Sequence, residues 1–238
     1  MNVDYKAAIE ARTSRRTYLE TELAPQTLAA LLQKVDEVTA ESGLNIAWQA
    51  DGGAAMAGGK SYGMFRGVRS MLLLKGSAGL PHLREKAGYY GEILVLEATA
   101  LGLGTCWVGG TFDKRLLFVP EGEELVCVVP VGNVRAEASL KERLLRGAVR
   151  RKSKTVEELL QTDEPVSGEL RRAMELVQRA PTARNAQKVI FKQAGGEITA
   201  HVPEDYHLDL VDLGICKLHL ECGLGGRFEW GNGGRLCR

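Results

Sequence analysis

A surplus of charge of either sign is missing from this 238-residue sequence, in which 31 lysines and arginines stand against 30 acids. A chain so near neutrality has no global field for nucleic acid or an anionic membrane, so any basic function must be local. Cysteine is sparse. Its five copies, Cys106, Cys127, Cys216, Cys222 and Cys237, include no Cys-x-x-Cys pair, which argues against zinc and a disulfide framework and for reduced thiols. The four histidines are His82, His201, His207 and His219, and none has a ligand or triad partner at a recognisable spacing. His219 falls in an apolar helical pattern and reads as a hydrogen-bonded core residue rather than a base. Neither a P-loop nor a dinucleotide glycine fingerprint is present. The longest apolar run, Ile93 to Gly110, is broken by Glu97 and by glycines, and reads as a buried helix turning into a strand rather than a membrane span. The first residues carry Asp4 and no apolar core, unlike a secretory signal, so the expected location is the cytoplasm.

What is there is 45% apolar and 26% charged, an ordinary globular composition long enough for one large domain or two packed halves. Asp4 can cap a short helix running to Arg12. Pro25 suits the first turn of a second helix, with Leu28, Leu31, Leu32, Val35 and Val38 on one face and Gly43 at its end. Leu44, Ile46 and Trp48 alternate as in a half-buried strand, and 51–60 reads as a loop. Val68 to Lys75 and Glu124 to Val131 read as apolar strands on either side of a helix from Pro81 to Leu101. A basic segment follows, with a linker at about Thr162 to Gly168. Leu170, Ala173, Met174 and Val177 then mark a helix. Gln187 to Lys192 and Glu197 to Val202 make strands joined at Gly195 and Gly196, Leu210 to Gly223 is a helix, and Arg227 to Trp230 is a last strand.

Both halves thus read helix, strand, strand, helix, glycine cluster. The first cluster, Gly102 to Gly110, is Gly-Leu-Gly-Thr-Cys-Trp-Val-Gly-Gly; the second starts at Gly223, 121 residues on (223 − 102), and includes Trp230. The expectation is an α+β fold with an internal duplication, residues 1–162 forming one half and 163–238 the other, packed as one unit. Each cluster can be a helix end leading into a buried strand, or a flat platform for an aromatic ligand. Arg12, Ser14 and Arg16 alternate after a helix end, where two guanidinium groups and a hydroxyl can meet one phosphate; a solvated basic patch is the plainer alternative. Seven basic residues occur between Lys141 and Lys154. No aromatic side chains interleave them, so nucleic acid is not an expected partner. The loop 180–187, Ala-Pro-Thr-Ala-Arg-Asn-Ala-Gln, gathers a hydroxyl and two amides that can meet the edge of a heteroaromatic ring or serve only as turn residues.

Taken together, four segments resemble the FMN-dependent nitroreductase family: Ile9 to Tyr18, Gly102 to Gly110, Lys152-Ser153-Lys154, and Ala180 to Gln187. The resemblance implies a nitroreductase-like α+β fold with central antiparallel sheets flanked by helices. In that family FMN lies at a homodimer interface, and the Asn- and Gln-containing loop comes early in the chain. Here the loop comes late, so the chain looks like a fused pseudo-dimer, similar to a branch of the family with two half-subunits in one chain, holding one FMN. By the resemblance, Arg12, Thr13, Ser14, Arg16, Lys152 and Lys154 surround the phosphate, and Trp107, Val108, Gly109 and Gly110 lie along the flavin. Pro181, Thr182, Ala183, Asn185 and Gln187 face it from the far side. The implied activity is ping-pong hydride transfer from NADH or NADPH through the flavin to a quinone or nitroaromatic-like acceptor, with no protein group as catalyst. A non-catalytic FMN carrier or sensor is the alternative. Lys188 and Val189 stand where the family commonly has a proline and an aromatic after the glutamine.

Overall fold

The chain starts its first helix, α1 (Tyr5–Ala11), with the Asp4 side chain accepting the Ala7 N–H, which satisfies an amide that the helix itself leaves free. The computed structural model describes residues 3–57, 61–137, 142–144, 147 and 153–238. Lys152 and the neighbouring Arg150 and Arg151 lie outside them. Helix α2 (Pro25–Ser42) has proline in its first turn and ends at Gly43 with φ +72°, a left-handed cap that suits glycine.

Strands β1 (Ala47–Gln49), β2 (Ser70–Ser77), β3 (Gly104–Thr105) and β4 (Glu123–Gly132) form one antiparallel sheet in the order β1-β2-β4-β3. Alternation along β2 and β4 divides the core. Leu72, Leu74, Val129 and Val131 face the main cluster with α2 and α4 (Leu83–Ala100), while Met71, Leu73, Leu125 and Val128 face a smaller one. Beneath the smaller cluster lies α3 (Gly53–Met56), a helical turn where the sequence suggested only loop.

After the first sheet, α5 (Val156–Leu159) leads into β5 (Leu160–Gln161), and α6 (Gly168–Val177) is capped by Ser167. Then come β6 (Ile190–Ala194), β7 (Glu197–His201), α7 (Asp209–Leu224), β8 (Arg227–Phe228) and β9 (Leu236–Cys237). The β6–β7 hairpin turns on Gly195 and Gly196, with φ +60° and +78°, the left-handed pair that a two-residue hairpin demands. β5, ahead of the expected boundary at 162/163, pairs in parallel with β6 beyond it. An antiparallel bridge between Thr199 and Arg235 sets β9 beside β7. The strands form a three-stranded sheet β5-β6-β7 and a two-stranded sheet β8-β9, and through this bridge the order β6-β7-β9-β8 resembles β1-β2-β4-β3, with β5 added at the edge.

α4 and α7 cross at the centre, backbone against backbone. A Cβ on Gly88 would lie 2.0 Å from the Val211 carbonyl oxygen, and one on Gly214 would lie 2.0 Å from that of Glu85. The glycine clusters themselves are offset from each other. Gly102, φ +77°, follows the end of α4, whereas Gly223 is still inside α7, and the left-handed residue that ends α7 is Gly225, φ +74°. Gly223 is small for another reason: its Cβ would meet that of Ala173 on α6 at 2.4 Å.

Candidate functional site

Beyond α1 the chain runs extended from Arg12 to Tyr18. Ser14 bridges Thr105 of β3, Thr17 bridges Arg66, and the Arg15 N–H donates to the Thr105 carbonyl at 2.8 Å. This approach needs Gly104, whose Cβ would collide with Val134 at 2.2 Å and with Arg15 at 3.1 Å. In an extended segment alternate side chains share a side. Arg15 turns to the Arg135 carbonyl (2.9 Å) and to Glu142 (3.5 Å). Arg12, Ser14 and Arg16 instead lie within electrostatic reach of Cys106: burial pushes that thiol up, the Arg16 and Arg12 charges and a hydrogen bond with Ser14 pull it down, and Glu142 adds to the rise. The structure thus brings the three expected residues together. Arg12 is nearly buried, and its Nε and Nη1 have no hydrogen-bond partner among the described residues.

Close by is Glu92 on α4, fully buried. Its Oε2 accepts the Trp107 Nε1–H at 2.7 Å, its Oε1 lies 3.0 Å from His219 Nε2 on α7, and Arg12 Nε is 3.9 Å from Oε1. The other ring nitrogen, Nδ1, is 2.9 Å from the Leu176 carbonyl at the end of α6, just ahead of loop 181–187. One carboxylate therefore joins the arginine motif, the tryptophan segment and the two helices behind the amide loop. His219 is the buried, hydrogen-bonded residue expected from its setting. Glu92 was not singled out in the sequence; an acid within the apolar pattern of α4 was its only mark.

Trp107 lies against Gly91, where a Cβ would be 2.6 Å from its ring. Val108 exchanges both backbone hydrogen bonds with Val128, at 2.9 and 3.0 Å, and its side chain is in the smaller core. The Val108 side chain thus belongs to the core, which leaves its backbone as the part that can run along a ligand. Gly109 packs so tightly on Leu208 that a Cβ would lie 2.2 Å from it, while Gly110 is exposed with open space beside it.

Loop 181–187 is strained. Arg184, Asn185 and Gln187 have φ of +56°, +52° and +46°, a region that costs non-glycine residues about 1 kcal/mol or more each and recurs at ligand sites. Partners hold it in place. The Ala183 N–H reaches both oxygens of Asp212 on α7 at 3.0 Å, and Thr182 Oγ1 accepts the Gln187 N–H at 3.2 Å. Burial pushes the Asp212 carboxyl up to about 7, against the pull of the Ala183 N–H. Gln187 is buried, and its amide is consumed: Oε1 accepts the Lys154 N–H at 2.7 Å and Nε2 donates to the Gln178 carbonyl at 3.2 Å. Lys154 Nζ in turn donates to the Gln187 carbonyl at 2.9 Å. Within the protein the Gln187 amide and the Lys154 ammonium are thus bonded to each other's segments and to Gln178. Pro181, Thr182, Ala183 and Asn185 remain partly exposed, as does Thr13 beside the arginines. Lys188, in place of a proline, pairs with Asp205 and Asp209 and ties the loop to the start of α7.

A cleft of about 550 Å³, with Glu20, Asp51, Phe65 and Arg66 in its wall, adjoins the Arg16–Tyr18 strand through Arg66. Arg12, Ser14, Trp107 and loop 181–187 do not line it.

The family model described as "Putative TM nitroreductase" matches residues 4–224. A crystal structure from Thermotoga maritima MSB8, under a similar description, is 20% identical and covers 98% of this chain and 92% of that one, with a TM-score of 0.64. The two share their fold over almost their whole length. FMN-bound nitroreductases from Bacteroides fragilis NCTC 9343 and Desulfitobacterium hafniense DCB-2 are 16% and 19% identical, each over 58% of this chain and 92% of its own, with TM-scores of 0.46 and 0.47. No curated protein matches.

Proposed function

The chain belongs to the nitroreductase family, and on that premise we propose that it is an FMN-dependent oxidoreductase. Its electron donor is NADH or NADPH, and its acceptor is a small flat oxidant of the quinone or nitroaromatic kind. The observation that carries this reading is the Arg12 guanidinium, nearly buried and, among the described residues, without a hydrogen-bond partner at Nε or Nη1. A buried cation with idle donors is costly unless an anion meets it, and a phosphate monoester matches a guanidinium through paired donors.

When bound, the flavin supplies the two-electron chemistry. The protein's part is to bind and orient. Arg12, Ser14 and Arg16 hold the phosphate. Trp107, pinned by Glu92, and the bare backbone of Gly110, with open space beside it, give a flat wall. Thr182 and Asn185, on a loop whose strain is held by Asp212 and Gln187, face it. Orientation of two flat reactants in one slot is the main source of rate, and no side chain need take a proton.

The test is a visible spectrum of the protein after loading with FMN and desalting, followed by anaerobic addition of NADH or NADPH. Flavin bands that bleach with the nucleotide and return with a quinone are the expected result. A protein that retains no flavin overturns the reading, and one that retains it without bleaching is a carrier.

A further inference from the structure

We infer that His219 is the residue that frees Arg12 for an anion, by neutralising Glu92. This rests on the reading of Arg12 as the holder of the FMN phosphate, and it follows from counting protons in one buried cluster. The Leu176 carbonyl oxygen can only accept, so His219 Nδ1, 2.9 Å away, must carry a proton. Glu92 Oε2 accepts the Trp107 indole N–H. Between Glu92 Oε1 and His219 Nε2, 3.0 Å apart, a single proton must lie for a hydrogen bond to exist. Whichever atom owns it, the pair is neutral as a whole: carboxylate with imidazolium, or carboxylic acid with imidazole.

The consequence falls on Arg12. Its Nε stands 3.9 Å from Oε1, beyond hydrogen-bond distance, and it faces a pair with no net charge to give it. Among the described residues Arg12 therefore keeps its charge uncompensated and its Nε and Nη1 donors idle in a site nearly closed to water, the electrostatic condition for gripping a phosphate. Without the imidazole, Glu92 would be an unbalanced buried carboxylate with the Arg12 guanidinium 3.9 Å away. The two would close on each other, and the phosphate would compete with an internal anion. His219 is thus a positioning residue, acting on the ligand through Glu92 and Arg12.

Four variants separate this from a structural role. In His219→Gln, FMN and inorganic phosphate should each bind about tenfold more weakly or worse, the loss of one charge-assisted contact. Glu92→Gln should bind both as well as the parent, because its amide can accept from Trp107 and donate to His219 Nε2. The double variant should recover the parent affinity, and Arg12→Gln should lose it. Flavin fluorescence titration reads FMN, and calorimetry reads inorganic phosphate. Equal weakening in both single variants, or no recovery in the double one, overturns the inference and leaves His219 a packing residue. Should His219→Gln fail to fold, nitrogen-15 spectra of the parent decide: a protonated Nδ1 is expected, and an unprotonated one overturns the proton count. If the parent binds phosphate but not FMN, the cofactor reading fails while the role of His219 is scored on phosphate. If it binds neither, both fail.

Discussion

Arg12 sets a residue-level conflict between stability and binding. A buried guanidinium with unpartnered donors destabilises the ligand-free fold, by about 1–3 kcal/mol for groups of this kind. Arg12→Met should therefore leave the melting temperature of the ligand-free protein unchanged or raised, while FMN retention falls at least tenfold. Calorimetric melting and flavin titration on one preparation check both, and a strongly destabilised variant would mean that Arg12 is a structural ion-pair partner. Asp212 gives a pH dependence. Its carboxyl is held up at about 7 by burial, against an ordinary value of 3.8, so the folded chain binds that proton more tightly than the unfolded one. Stability tied to it is complete below about pH 4 and is lost as the pH rises through about 7. Asp212→Asn should flatten that decline in urea denaturation between pH 4 and 8; an unchanged slope would assign the decline to another group. The arginine motif was legible in the sequence because an extended segment fixes by spacing alone which side chains share a side. The partners of Gln187, Lys154 and Gln178, were not legible in the sequence, because they reach it only through folding.

Among the elements, the crossing of α4 and α7 decides most. Gly88 and Gly214 let the two backbones touch, and a methyl group at either would sit 2.0 Å from a carbonyl oxygen. Gly214→Ala should cost at least about 2 kcal/mol, since a well-packed core resists added volume, and should separate Glu92 from His219, which ride on these two helices. Denaturant midpoints of Gly214→Ala and of a control at Gly110, which has open space, measure it; equal effects would sink the claim. Helices α1, α2 and α6 were readable from caps and apolar faces, since capping and periodicity are local. The small helix α3 and the strand β9 were not. Each exists because of what it covers or pairs with: α3 closes the smaller core, and β9 pairs with β8 and bridges β7.

Across the whole molecule, the buried Lys217 does for the C-terminal segment what Glu92 does for the site. Its ammonium meets Glu85 Oε1 at 2.5 Å and the carbonyls of Glu229 and Gly231 at 2.8 Å each, fastening the chain after β8 to α4. Lys217→Met should cost about 3–5 kcal/mol by stranding the Glu85 carboxylate, and the pair Lys217→Met with Glu85→Leu should recover part of that in the same denaturation experiment. The recurrent strand path fits the proposal that one chain acts as a fused pair, which predicts a 25.9 kDa particle carrying one FMN. Light scattering with flavin absorbance tests this, and two flavins per chain or an obligate dimer would count against it. The sequence by itself determined the α+β class, the longer helices and strands of both halves and the arginine and amide motifs, because propensity, capping and spacing act over a few residues. Only the tertiary structure decided that Glu92 and His219 meet at 3.0 Å beside Arg12, that Gln187 and Lys154 face each other, and that the two glycine clusters lie out of register. Those outcomes depend on helices 127 residues apart meeting at one carboxylate, and no local rule sets which buried charges will meet.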